Sequence, residues 1–206
     1  MYIQETRAVA TKDSIDKLVP RGTVATSSSV GSKELLGLHP LYELEIENTG
    51  NIARVAFMPS ANSTAIETLG ATPLTTVTAG KEYLLTVADT TAYIPGSIIE
   101  IRQSGGTLRL IAVVQGVDQR SWVSPPSGPF TQIRLIAPFG AMDAGNVQAT
   151  DTVFWAISRN DTSNHYYVGF KMADGAVRRV MPPAWAKYIH VTSTTGDTRL
   201  ILHEVG

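Results

Sequence analysis

Glu43-Leu44-Glu45-Ile46-Glu47-Asn48-Thr49-Gly50-Asn51, preceded by Tyr42 and followed by Ile52-Ala53-Arg54-Val55-Ala56-Phe57-Met58, is the stretch on which the fold turns. Tyr42, Leu44 and Ile46 fall on one side of an extended chain, with Glu43, Glu45 and Glu47 on the other, the period-two pattern of a half-buried strand. Asn48 to Asn51 are turn residues that tolerate positive φ, and Ala53, Val55 and Phe57 resume the alternation. The spacing predicts a β-hairpin: a strand, an Asn-Thr-Gly-Asn turn and a return strand.

The same grammar recurs outward from this pair. After a polar loop from Pro59 to Thr72, Ala79-Gly80 turns the chain into a strand over Glu82 to Val87. Ser97 to Arg102 and Thr107 to Val114 form a second hairpin across Ser104-Gly105-Gly106. Residues 117–150 are rich in Pro and Gly around one strand-like run, Gln132 to Ile136, and read as a linker. Alternation returns at Val153, Trp155 and Ile157, then at His165 to Lys171, and Asp174-Gly175 is a further hairpin signal. The expected class is all-β.

Laying Ile99 on Ile189 also brings Gly106 onto Gly196, Arg109 onto Arg199, Leu110 onto Leu200 and Ile111 onto Ile201. Val55-Ala56-Phe57 then corresponds to Val168-Gly169-Phe170. Two β-sandwich-like modules related by duplication are therefore expected, over 41–116 and 151–206. Residues 1–40 carry no sustained pattern. Their Ser, Gly and Thr content buries too little apolar surface to offset the entropy of ordering, so they read as an N-terminal arm held by partners.

Composition narrows the function classes. In 206 residues, 43% are hydrophobic and only 17% charged, against about 25% charged in an average soluble domain; such a surface suits protein neighbours. With 17 basic and 18 acidic residues the formal charge is -1, which gives no broad attraction for nucleic acid or an anionic membrane. The absence of cysteine excludes disulfides and thiolate metal sites. No secretory signal is read at the polar start Met1 to Arg7, and no apolar run approaches the roughly 20 residues that span a bilayer, so a soluble protein is expected.

The residues with chemical potential give little. Ser14 and Lys17 have a Ser-x-x-Lys spacing without its companion motifs. His39, His165, His190 and His203 are scattered, and although His190 and His203 are placed to face each other across the last hairpin, two ligands make no zinc site. Asp89-Thr90-Thr91 lacks the glycine of an aspartic-protease motif. No catalytic residue, metal ligand or cofactor is assigned. Trp155 belongs to a core face by period, whereas Trp122 and Trp185 stand beside prolines, where interface packing is favoured over glycan stacking.

Glu45 to Asn51, Arg54-Val55-Ala56-Phe57, Thr78-Ala79-Gly80-Lys81-Glu82-Tyr83 and Ile99-Glu100-Ile101-Arg102 through Gly105-Gly106-Thr107 together resemble the small β-sandwich modules of tailed-bacteriophage virion proteins. The likeness covers about residues 41 to 116 and, less clearly, 151 to 206. It implies a non-enzymatic virion protein assembled in the host cytoplasm: a capsid decoration or cement protein, ahead of a tail or fibre component. The alternative, resting on Trp122 and Trp185, is a carbohydrate-binding β-sandwich acting in host adsorption. The resemblance also implies a homo-oligomer with other virion proteins as partners. Interface candidates are Met1, Tyr2, Ile3, Ile15 and Leu18 of the arm, with Trp122 and Trp185.

Overall fold

The computed structural model describes residues 18–26, 31–35, 43–70, 74, 76–104, 106–117, 131–142, 146–161, 166–193 and 196–205. They form strands β1 (Leu18–Thr26), β2 (Gly31–Glu34), β3 (Glu43–Gly50), β4 (Ala53–Met58), β5 (Ala65–Thr68), β6 (Lys81–Thr86), β7 (Ile98–Arg102) and β8 (Leu108–Val117). The chain continues through β9 (Gln132–Ala137), β10 (Thr152–Trp155), β11 (Arg159–Asp161), β12 (Tyr166–Val168), β13 (Phe170–Met172), β14 (Val177–Val180), β15 (Tyr188–Ser193) and β16 (Thr198–Val205). Among the described residues the only helical element is a 3-10 turn, Thr90–Ala92. The protein is all-β, as the alternation predicts. Two compact units divide it: one takes the chain up to Phe57 and from Ile157 onward, the other Met58–Ala156.

In the first unit, two four-stranded sheets run in the orders β1-β16-β3-β14 and β13-β4-β15-β2. Val24, Leu44, Ile46, Leu200 and Leu202 from one sheet and Ala53, Val55, Met172, Ile189 and Val191 from the other share a single core. This is a β-sandwich. β3 alternates as expected: Leu44 and Ile46 are at 0% exposure, each such burial stabilising by about 1.5–3 kcal/mol, while Glu43, Glu45 and Glu47 lie on the opposite side.

The expected hairpin over Tyr42 to Met58 is not what forms. β3 and β4 lie in different sheets, as do β13 and β14, and β15 and β16. Asn48-Thr49-Gly50-Asn51 and Asp174-Gly175 therefore turn sandwich corners instead of closing ladders. The cause is Asn48, which follows Leu44 and Ile46 in phase and is fully buried. Its Nδ2 donates to the carbonyls of Asn51 at 2.9 Å and Ala173 at 2.8 Å, and its Oδ1 accepts from the Thr198 hydroxyl at 2.6 Å. Around it the Gly50 N–H donates to Asp174 Oδ1 at 2.8 Å and Asn51 Nδ2 to the Asp197 carbonyl at 2.8 Å. One amide thus supplies partners that three corners need, since buried backbone groups must be paired.

Several expected boundaries shift accordingly. The arm over 1–40 does not hold for its described part: β1 pairs along β16 and β2 along β15, with Val24 in the core. Pro20-Arg21-Gly22, read as a break, is a register shift in β1, tolerated because β1 is an edge strand. The linker over 117–150 contains β9, whose Ile133, Leu135 and Ala137 are fully buried between β8 and β6, so it belongs to the second unit's sheet. β10, expected to open a second module, pairs with β5 and β7, and β5 itself lies in the expected loop.

The duplicated modules do not share a topology. β7 and β8 are paired neighbours, whereas β15 and β16 are in separate sheets. The matched positions share burial, Ile99, Ile189, Leu110 and Leu200 all being at 0% exposure, because any core-facing strand alternates this way. Val55 and Phe170, read as copies of one region, are cross-strand neighbours in the β4–β13 ladder.

The second unit is one six-stranded antiparallel sheet, β5-β10-β7-β8-β9-β6. The hairpin across Ser104-Gly105-Gly106 forms as predicted: β7 pairs with β8, and Gly106 has φ +84, a conformation that glycine adopts without a Cβ penalty. Leu85, Ile99, Ile101, Leu110, Ile133 and Leu135 bury one face, covered by Leu69, Val77, Tyr93 and Val147 from the connecting segments. Among the described residues no ladder joins the outermost strands β5 and β6. Instead Glu67 of β5 accepts the Ala88 N–H, just past β6, at 2.7 Å and also the Tyr93 hydroxyl proton. Burial first, then the hydrogen bond and charge of Glu67, hold the Tyr93 hydroxyl well above the ordinary tyrosine range.

Candidate interaction surface

β14 ends its sheet, with β3 on one side and no strand on the other among the described residues. Its sequence, Val177-Arg178-Arg179-Val180, splits by period. Val180, like Ala176 before the strand, packs against the sandwich core, and the Arg178 guanidinium lies over the Phe170 ring at 4.5 Å. On the opposite face Arg179 Nε reaches Glu45 Oε2 at 2.8 Å, an exposed pair of small energetic weight. Val177 and Met181 are 58% and 63% exposed, the most exposed large hydrophobic side chains among the described residues.

The backbone of this edge has a definite polarity. The Asn48 N–H donates to the Ala176 carbonyl at 2.9 Å, and the register continues Val177 to Glu47, Arg178 to Ile46, Arg179 to Glu45 and Val180 to Leu44. Bonded and non-bonded pairs alternate in an antiparallel ladder, so Arg178 and Val180 direct their N–H and C=O groups to β3. Val177 and Arg179 direct theirs away from it. Pro182 and Pro183 follow, where proline supplies no N–H, and the Ala186 N–H closes a turn on the Pro183 carbonyl at 2.8 Å.

Trp185, an expected interface residue, sits in that turn just beyond the open edge and is half-buried. Leu18, another, opens β1 opposite Val205, and β1 is the other edge of the same sheet, so the two are not brought together. Met1, Tyr2, Ile3, Ile15 and Trp122 lie outside the described residues, as do Ser14, Lys17, His39 and His165. The residues sequence reasoning missed are Val177, Arg178, Arg179 and Met181. Their signal was available in Val-Arg-Arg-Val followed by Met-Pro-Pro: a short run with one valine and one arginine on each face, ended by prolines that cannot extend a ladder.

The expected facing of His190 and His203 is overturned. Ile189 and Val191 point into the core from β15, and Leu200 and Leu202 from β16, so His190, between the first pair, and His203, directly after Leu202, both point away from that core in different sheets, His190 at 0% exposure. No group of three or more His, Cys, Asp or Glu is placed to hold a metal ion among the described residues. Asp89 serves as a cap: its carboxylate accepts the Thr91 N–H and hydroxyl, both at 2.8 Å, and those bonds, the backbone one foremost, lower its pKa. Comparison with protein-family models, with curated proteins and with solved structures finds no match to this chain.

Proposed function

We propose that this chain is a non-enzymatic structural protein of a tailed-bacteriophage virion, a capsid decoration or cement protein that joins neighbouring virion proteins through its sheet edges. The observation that carries the reading is the β14 edge, which combines outward-directed backbone groups with exposed Val177 and Met181. An edge of this kind is a ready template for pairing with another chain. The low charged content and the resemblance of the turn motifs to those of virion β-sandwich modules support the same reading. Tail or fibre placement is the alternative within the same class.

Native mass together with cofractionation tests it. A protein that sediments with heads, and is released from them as an oligomer, supports the decoration role. Recovery on tails moves it to the alternative, and recovery only free in solution from cells producing particles refutes both.

A further inference from the structure

We infer that the open edge of β14 receives an extended protein segment carrying two consecutive acidic residues between apolar ones, added as an antiparallel strand. The inference rests on the edge-mediated assembly proposed above and specifies the partner's chemistry.

On the closed side β3 places Glu45 opposite Arg179 but Ile46 opposite Arg178, with Glu47 opposite Val177 and Leu44 opposite Val180, so of the two arginines only Arg179 meets an acid there. The open side presents the same side chains to a second neighbour. Arg179 keeps 41% of its side chain exposed despite Glu45, and Arg178 is exposed with no carboxylate partner among the described residues. Successive strand residues point to opposite faces, so these adjacent arginines call for adjacent acids, one on each face of the incoming strand. Val177 and Met181 flank Arg179 on the outer face and call for apolar residues at either end.

The charge pattern also selects against the simplest competitor. A second copy of β14 pairing antiparallel about Arg178 or Arg179 would set that arginine against its own counterpart, a like-charge juxtaposition that opposes those registers. Pro182 and Pro183 limit the ladder to the outward groups from Val177 to Met181. The edge thus disfavours the central self-paired registers and suits an acidic strand of matching length.

The test uses the full chain, isotopically labelled, and the blocked heptapeptide Thr-Val-Leu-Glu-Glu-Val-Thr, with Lys-Lys in place of Glu-Glu as control. Binding is followed by amide chemical shifts. The inference expects saturable shifts centred on residues 177–181 with the acidic peptide and at least about tenfold weaker binding of the control. The Arg178→Glu, Arg179→Glu double variant should reverse that preference. Val177→Pro removes an outward N–H while leaving the β3 ladder intact and should weaken binding about fivefold; Met181→Ser, which leaves the backbone alone, gives a second reading. Equal binding of both peptides, shifts centred elsewhere, or no binding at millimolar peptide overturns the inference. A protein that cofractionates with particles yet ignores the acidic peptide loses this inference and keeps its virion role. Peptide binding by a protein absent from particles does the reverse.

Discussion

Replacing Asn48 should unfasten the sandwich corners without touching its hydrophobic core. The side chain makes donor bonds to the carbonyls of Asn51 and Ala173 and accepts one from Thr198, all between 2.6 and 2.9 Å and centred on a residue at 0% exposure. At about 1 kcal/mol net for each bond, with a further cost for carbonyls left without a donor, Asn48→Ala is expected to lose about 3–4 kcal/mol. That is a large share of the roughly 5–15 kcal/mol available to a domain. For a unit of about 100 residues it corresponds to a fall in Tm of roughly 12–30 °C, read by differential scanning calorimetry. Asn48→Leu, which keeps the branching but is bulkier and restores no donor, should lose at least as much, because the carbonyls left without a partner set the cost. Asn48→Asp should be worse than Asn48→Leu at pH 7, where a carboxylate faces carbonyl oxygens. Its folded pKa is then raised, so the penalty should shrink as pH falls and the acid regains a donor. Asn48→Leu with wild-type stability would refute the assignment of the corners to this amide.

Tyr93→Phe should cost about 1.5–3 kcal/mol in urea unfolding at pH 7, since it removes a buried hydroxyl donated to a carboxylate. Because the Tyr93 pKa is raised in the folded protein, its stabilisation is complete below the unfolded value near 10 and is lost as pH rises beyond it; the variant should lack that alkaline loss. Gly169→Ala should prevent recovery of folded protein: its φ is +106 and a Cβ there would lie 2.4 Å from the Val55 carbonyl oxygen. Gly175→Ala, with φ +70 and nothing within 4 Å, should cost only about 1 kcal/mol by thermal melting.

The strands were largely legible because side-chain alternation is local: Leu44 and Ile46, Ile99 and Ile101, Leu110 and Ala112 declare their faces without reference to any partner. Which strands share a sheet was not, since Asn-Thr-Gly-Asn and Asp-Gly supply the same positive-φ backbone whether the chain closes a hairpin or crosses a sandwich. The distinguishing mark was Asn48 itself, an amide standing where the alternation demands an apolar residue. β1 and β2 stayed hidden because their burial pattern is weak: Val24 is the one core residue among the described side chains of β1, and β2 alternates between half-buried and exposed. The β14 surface escaped for a related reason. Arg178 and Arg179 look like any solvated pair until the ladder shows that one side of their strand has no neighbour among the described residues.

Amide hydrogen exchange at β14 measures the central claim most directly. In the free protein the outward N–H groups of Val177 and Arg179 should exchange rapidly, and those of Arg178 and Val180, bonded to β3, slowly. Assembly onto the particle should slow Val177 and Arg179 by at least about tenfold while leaving Arg178 and Val180 little changed. Val177 and Arg179 that exchange as fast on the particle as in solution would contradict assembly through this edge.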